Sequence, residues 1–377
     1  MLSPSAEENK WVFPHSHGTI YGTEEAQAIL EAIMEGAQTN GKKVKAFEKS
    51  YAEFVGAEYG VATNSWGSAA QLVAILMELK VTDEVIVPAW TMSASANLFV
   101  REGAKIVFAE VDPRTFNIDP NKLEEKITEN TKAICVVHMC GQPCDLEKLQ
   151  MIARKHNLLM IQDAAHAPGA RYQGNGLGKY GDFVIYSFHQ AKNMCTLGEG
   201  GMVVTNRKEW ADKLGKIRTH GMGEYIGISC KMTEVQAAVG LEQLKKLSEQ
   251  NEKRRQLSYY LNSLLQDQDQ LIVPYELPGI EHNYHLYSLR INREKTRITK
   301  DEITRYLWIK KRIMAIAYYP TVNCLPVYQK MGHGKGECPV TEEAAANTII
   351  LPMNPRYTKE DMEILANSVK EVIEMYG

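Results

Sequence analysis

The sequence predicts an α/β protein: a large domain with a mainly parallel seven-stranded sheet between helices, then a smaller α+β domain. Two observations carry this. Short, almost wholly apolar runs recur between Tyr59 and Asn206, and the segments separating them repeat their apolar residues at helical spacing. Strands apolar on both faces, joined by helical crossovers, belong to sheets covered on both sides. Beyond the long helical stretch that follows, strands become sparse and amphipathic helices dominate.

Taken in order, EEAQAILEAIMEG after Thr23 reads as an amphipathic helix, and KKVKAFEKSYAEFVG (42–56) as a second one closed by glycine. The strands are YGVATN, DEVIVPA, AKIVFAEVD, KAICVVHM, LLMIQDA, DFVIYSF and GMVVTN; AAQLVAILMEL, LEKLQMIARKH and the region from Trp210 supply helices. Met232 to Leu265 keeps helical periodicity through a charged middle, and is expected to form the helix, or helix pair, that leaves the large domain. The large domain is placed at 1–250 and the small one at 251–377. The latter has HNYHLYSLRIN as a strand, KDEITRYLWIKK as a helix and a C-terminal helix begun by a Thr358 cap.

Composition excludes several functions. With 44% hydrophobic residues, 24% charged residues and a net charge of −3, acids and bases interspersed, there is no basic footprint for nucleic acid. The longest apolar runs fall far short of the roughly 20 residues of a membrane helix. Seven cysteines, an odd number, and an N-terminal MLSPSAEENKW without an apolar core point to a reduced, cytoplasmic setting. Cys140 and Cys144 are close, but no second closely spaced pair completes a tetrahedral metal site, so no metal is expected.

The chemistry gathers at two strand ends. LLMIQDA places Asp163 where a buried carboxylate needs a cation or cap, and Lys192 follows the next apolar strand. Either residue alone has an ordinary reading, an internal ion pair or helix cap for the acid and a solvated charge for the lysine. Together they match pyridoxal 5'-phosphate (PLP): a lysine to hold the cofactor as a Schiff base and an acid to keep its ring nitrogen protonated. Upstream, Ser65, Gly67 and Ser68 precede a helix, where amides and hydroxyls can meet a phosphate or simply cap the helix. Ser187 adds a hydroxyl five residues before the lysine.

These segments, with VVHMCGQPCDLEKL, MTEVQAAVGLEQL, HNYHLYSLRI, YYP and LPMNPRYTKED in the same order, resemble the DegT/DnrJ/EryC1/StrS sugar aminotransferases of PLP fold type I over nearly the whole chain. The resemblance implies that Lys192 forms the internal aldimine and then acts as general base and acid. It puts Asp163 on the ring nitrogen, His166 near the phenolic oxygen, and Ser187, Gly67 and Ser68 at the phosphate. The family's ring-stacking position falls at Met92, with Trp90 two residues earlier on the same side if that stretch is extended. Trp66-Gly67 stands where the family has Gly-Thr, and Ser229 and Lys231 where it commonly has Asn and Arg reaching the partner's phosphate. His189, Tyr319 and His285 are substrate candidates; His285 and His138 also read as core or rim histidines.

The function implied is transfer of an amino group from glutamate or glutamine to a keto-sugar, nucleotide-linked, by a homodimer whose two chains share each site. A keto-cyclitol substrate, a PLP-dependent dehydratase and a non-catalytic regulatory homologue are the alternatives.

Overall fold

A computed structural model describes residues 12, 13, 19–36 and 38–376. The stretch MLSPSAEENKW lies outside the described residues. The seven apolar runs form one sheet: β1 Tyr59–Thr63, β2 Glu84–Pro88, β3 Lys105–Ala109, β4 Thr131–Val137, β5 Leu159–Asp163, β6 Phe183–Ser187 and β7 Gly201–Thr205. Their spatial order is β1-β7-β6-β5-β4-β2-β3. Strands β6, β5, β4, β2 and β3 pair in parallel, while β7 runs antiparallel to both β1 and β6.

Side chains alternate between two cores, which is why these strands read as continuously apolar. In β6, Val184 and Tyr186 join the core that holds Phe47 and Tyr51 of helix α1 (Lys42–Phe54). Phe183 and Ile185 join the opposite core with Leu72 and Val73 of α2 (Trp66–Leu76).

The 232–265 stretch is one helix, α3 (Glu234–Leu265), rather than a pair. Thr233 caps it by accepting from Gln236 N at 3.2 Å, and the Gln236 side chain returns to Thr233 N at 3.1 Å. The expected domain junction at residue 250 falls inside this helix, which packs on Thr23–Met34 and α1 near its start and on the C-terminal helix Lys359–Tyr376. The smaller domain is built on an antiparallel sheet of Leu271–Ile272, Tyr287–Ile291, Thr348–Leu351 and Ile316–Ala317, in that order.

HNYHLYSLRIN is a strand only over Tyr287–Ile291. Its first half is irregular because its own side chains take the backbone donors. His282 Nδ1 accepts Tyr284 N at 2.8 Å, Asn283 Oδ1 accepts His285 N at 3.1 Å, and Tyr284 sits at φ 45°. His285 therefore enters the site region from a loop, not from a strand.

Candidate active site

Asp163 ends β5, flanked by β4 and β6, at the carboxyl edge where α/β sheets place their sites. It is 5% exposed and bonded on both oxygens: Oδ2 accepts from Ser95 Oγ at 2.7 Å and Oδ1 from Ala165 N at 3.0 Å. Burial pushes its pKa up, and these donors together with the Lys192 charge pull it back. Ser95 is itself steered by Thr91, whose hydroxyl lies 2.9 Å away.

Lys192 lies just past β6, half-buried in a loop. Burial lowers its pKa to about 8, while Asp163 and, less strongly, Glu199 oppose the shift. A lysine so poised is partly a free amine near neutral pH, which is what a nucleophile needs.

The Ser65–Ser68 turn sits at the N-terminus of α2. Ser65 is its N-cap: Oγ accepts from Ser68 N at 3.1 Å, and the Ser68 hydroxyl donates to Asn64 Oδ1 at 2.7 Å. The amides of Trp66 and Gly67, in the first turn, have no acceptor within the helix. A Cβ placed on Gly67 would meet nothing nearer than Ser65 Oγ at 3.8 Å, so the turn opens on space. From the other side, β7 presses in so closely that a Cβ on Gly201 would lie 2.4 Å from Ser65 O. Ser187 is 2% exposed, and its Oγ accepts from His189 N at 3.3 Å.

His166 is 7% exposed and stacks on His285, ring centroids 4.5 Å apart. Its Nδ1 is buried without a partner among the described residues. Burial, then the Lys192 charge, hold its pKa well below the usual imidazole range, so the ring is neutral. His138 belongs to the support beneath. Its Nδ1 accepts from Cys144 N at 3.0 Å, so Nε2 carries the proton toward Gln162 Oε1 at 2.9 Å. Burial lowers its pKa to about 4. Cys144 is thereby tied to a histidine, and all seven cysteines are free thiols.

The chain bends after β2, so Trp90 and Met92 do not share a side. Trp90 is 1% exposed, its rings packed edge-on to Phe116 and Tyr318, and its Nε1 donates to Tyr319 O at 3.1 Å. Met92 is 55% exposed. Of the two, only Met92 offers a free face. Tyr319, stacked on Tyr318 at 3.8 Å, stands beside Trp90 and senses the Asp163 charge. His189 is on the rim, its Nδ1 accepting from Ala191 N at 3.2 Å and its Nε2 lying 3.8 Å from Glu199. Ser229 is exposed and bridges to Thr219, while Lys231 bridges to Thr63 at the end of β1. Within this chain Ser229 is not drawn into the cluster.

The residues present fit pyridoxal phosphate. Gly67 and the first amides of α2 leave an open anion cradle, and Asp163 is a buried carboxylate for a protonated ring nitrogen. Lys192 is a depressed lysine, and the orphaned His166 Nδ1 calls for a polar partner. The Trp66 Nε1 is also buried without a partner among the described residues, near Asp163 but outside hydrogen-bonding geometry.

The model of the DegT/DnrJ/EryC1/StrS aminotransferase family matches residues 20–370. The chain belongs to this family. It is 32% identical over 366 residues to dTDP-3-amino-3,6-dideoxy-alpha-D-galactopyranose transaminase of Aneurinibacillus thermoaerophilus, covering 95% of this chain and 96% of that one. Among solved structures it is similar to DesV of S. venezuelae in complex with a ketimine intermediate, at 30% identity and TM-score 0.88, covering 93% and 94% of the two chains. It is also similar to PseC of Helicobacter pylori, an aminotransferase of pseudoaminic acid biosynthesis, at 28% identity and TM-score 0.90 over 97% and 100%. No helix among the described residues of this DegT/DnrJ/EryC1/StrS aminotransferase is long and apolar enough to cross a membrane.

Sequence reasoning missed Ser95, whose hydroxyl binds Asp163, and Thr91, whose hydroxyl pairs with Ser95. TMSASA carries the signal only in retrospect, because four small polar or apolar residues at a helix start look like capping alone. It also missed Asn193, the buried residue that follows the lysine.

Proposed function

We propose that this aminotransferase moves an amino group from glutamate or glutamine to a ketone carbon of a nucleotide-linked sugar, in two alternating half-reactions, with pyridoxal 5'-phosphate at Lys192. The observation that carries this is the buried Asp163 facing a lysine lowered to about 8 across adjacent strand ends. The nucleotide link is favoured by the dTDP-sugar in the name of the Aneurinibacillus relative.

When bound, pyridoxal phosphate supplies an electrophilic aldehyde and an electron sink. Everything else is work for the chain. Lys192 would supply the amine that holds the group and would serve as the base and acid that moves the proton at the substrate carbon. Asp163, held by Ser95 and Ala165, keeps the ring nitrogen protonated. His166, neutral, meets the phenolic oxygen through its orphaned nitrogen. The amides at Trp66 and Gly67, with Ser68 and Ser187, would take the phosphate, and Met92 would cover the ring while Trp90 backs the pocket wall. His189, His285 and Tyr319 line the side from which the sugar arrives.

We further propose a cytoplasmic homodimer, with Ser229 and Lys231 serving the partner's phosphate site. Leu30, Ile33 and Met34 on the first helix are 58%, 53% and 86% exposed, and Ile226, beside Ser229, is 93% exposed. Such apolar surface is characteristic of an interface.

The test is a panel of keto-sugar nucleotides and keto-cyclitols incubated with glutamate, following 2-oxoglutarate. The purified protein should show a visible band of lysine-bound cofactor that Lys192→Ala abolishes. A protein without that band even after reconstitution, or one that releases water from the sugar without net amino transfer, overturns the reading.

A further inference from the structure

The residue after the lysine makes more buried side-chain hydrogen bonds than the lysine does. Asn193 is 1% exposed, and its amide is used on every side. Nδ2 donates to Asn251 Oδ1 at 3.0 Å and to Asn283 O at 3.3 Å, and Oδ1 lies 3.0 Å from His285 Nδ1. Because both amide hydrogens are committed, Oδ1 is the acceptor and His285 Nδ1 carries a proton.

Its partners are anchored in turn. Asn251, 1% exposed on α3, and Asn283, fully buried before the Tyr287 strand, both donate to Pro168 O, at 2.9 and 3.0 Å. Pro168 lies two residues beyond His166, and His285 stacks on the His166 ring. One side chain therefore joins the lysine loop, the long helix, the approach to the small sheet and the turn that carries His166.

The lysine's own backbone is held from the remaining directions. Lys192 N donates to His189 O at 2.8 Å, and Lys192 O accepts from Thr19 Oγ1 at 3.4 Å. Beyond Asn193 the loop buries Met194, Cys195 and Thr196, Thr196 N donating to Phe188 O at 3.1 Å, and then turns outward at Leu197 and Gly198, both at positive φ.

We propose that Asn193 is a positioning residue for Lys192: its buried amide fixes the peptide after the lysine against Asn251, Asn283 and His285, and so sets the reach of the amine toward Asp163 and His166. This rests on the reading of Lys192 as the cofactor-holding lysine. A side chain that merely filled the core could be exchanged for an apolar one without affecting the amine. A positioning amide is needed only by ligands that bond to the amine.

The experiment compares two probes on apo-protein, pyridoxal phosphate, which bonds to Lys192, and pyridoxamine phosphate, which does not. Asn193→Ala is expected to slow development of the lysine-bound visible band and to weaken pyridoxal phosphate about tenfold, the size expected for losing a buried hydrogen bond or more. Pyridoxamine phosphate should bind within about twofold of wild type. Equal losses for both probes, or no loss for either, overturn the inference.

Asn251→Ser, which removes the acceptor for Asn193 and the donor to Pro168 O but leaves Asn283 and His285 in place, should give a smaller shift confined to pyridoxal phosphate, and it decides the matter should Asn193→Ala not fold. A wild-type protein without the band overturns the proposed function and this inference with it. A normal wild-type band with unchanged variants overturns this inference alone.

Discussion

Two side chains at adjacent strand ends set the electrostatics of the site. Lys192 is pushed down to about 8 by burial, against the Asp163 charge that favours its protonated form. The free amine fraction therefore rises with pH through about 8, and capture of pyridoxal phosphate by apo-protein should accelerate from pH 7 to 9 and then level off. Asp163→Asn removes the charge that favours the ammonium, so the midpoint should move to lower pH. A midpoint that stays put or rises, followed by stopped-flow absorbance, would contradict this account. The same shift sets a stability sign. The folded lysine prefers its neutral form, so its cost is full below about 8 and fades as pH rises toward the ordinary lysine value of roughly 10.4. Lys192 and Asp163 were legible because a charge at the end of an apolar run demands a partner. Ser95 was not, since nothing local says that a serine in a helix start faces a strand two elements away in space.

Strand β7 is a structural limit on the phosphate turn. It runs antiparallel to both of its neighbours, β1 and β6, and brings Gly201 against Ser65 and Trp66. A methyl at Gly201 would sit 2.4 Å from Ser65 O and 2.7 Å from Trp66 N, which are backbone atoms that cannot swing aside. Gly201→Ala should therefore displace the turn and weaken inorganic phosphate and pyridoxal phosphate together, by about tenfold or more, with the Lys192 pH midpoint unchanged. Equilibrium binding with both ligands checks it. The run GEGG (198–201) reads from sequence as a sharp turn into this strand rather than as a phosphate loop. Gly198 at φ 102° makes that turn, but the packing of Gly201 was invisible without the pairing of β7 to β1. In the same way HNYH reads as strand by composition, whereas its histidine and asparagine side chains capture the backbone and hold a loop.

Across the whole molecule, the exposed apolar residues of the first helix and the Ile226 loop are the surface that the proposed dimer would cover. Met34→Asp combined with Ile226→Asp should yield a monomer by sedimentation velocity with the fold retained by circular dichroism, and should weaken phosphate binding if Ser229 and Lys231 serve the partner. A double variant that sediments as a dimer places the interface elsewhere.

The sequence by itself determined the seven strands, their mainly parallel order of use and the acid and lysine at their ends. These follow from local patterns: apolar runs of strand length, helical spacing between them, and charges where burial begins. Only the tertiary structure decided that Trp90 is walled in while Met92 is free, that Ser95 binds Asp163, and that Asn193 ties the lysine to three distant segments. Those outcomes depend on which surfaces meet, and contacts between residues 58 to 229 positions apart leave no periodic trace in the chain.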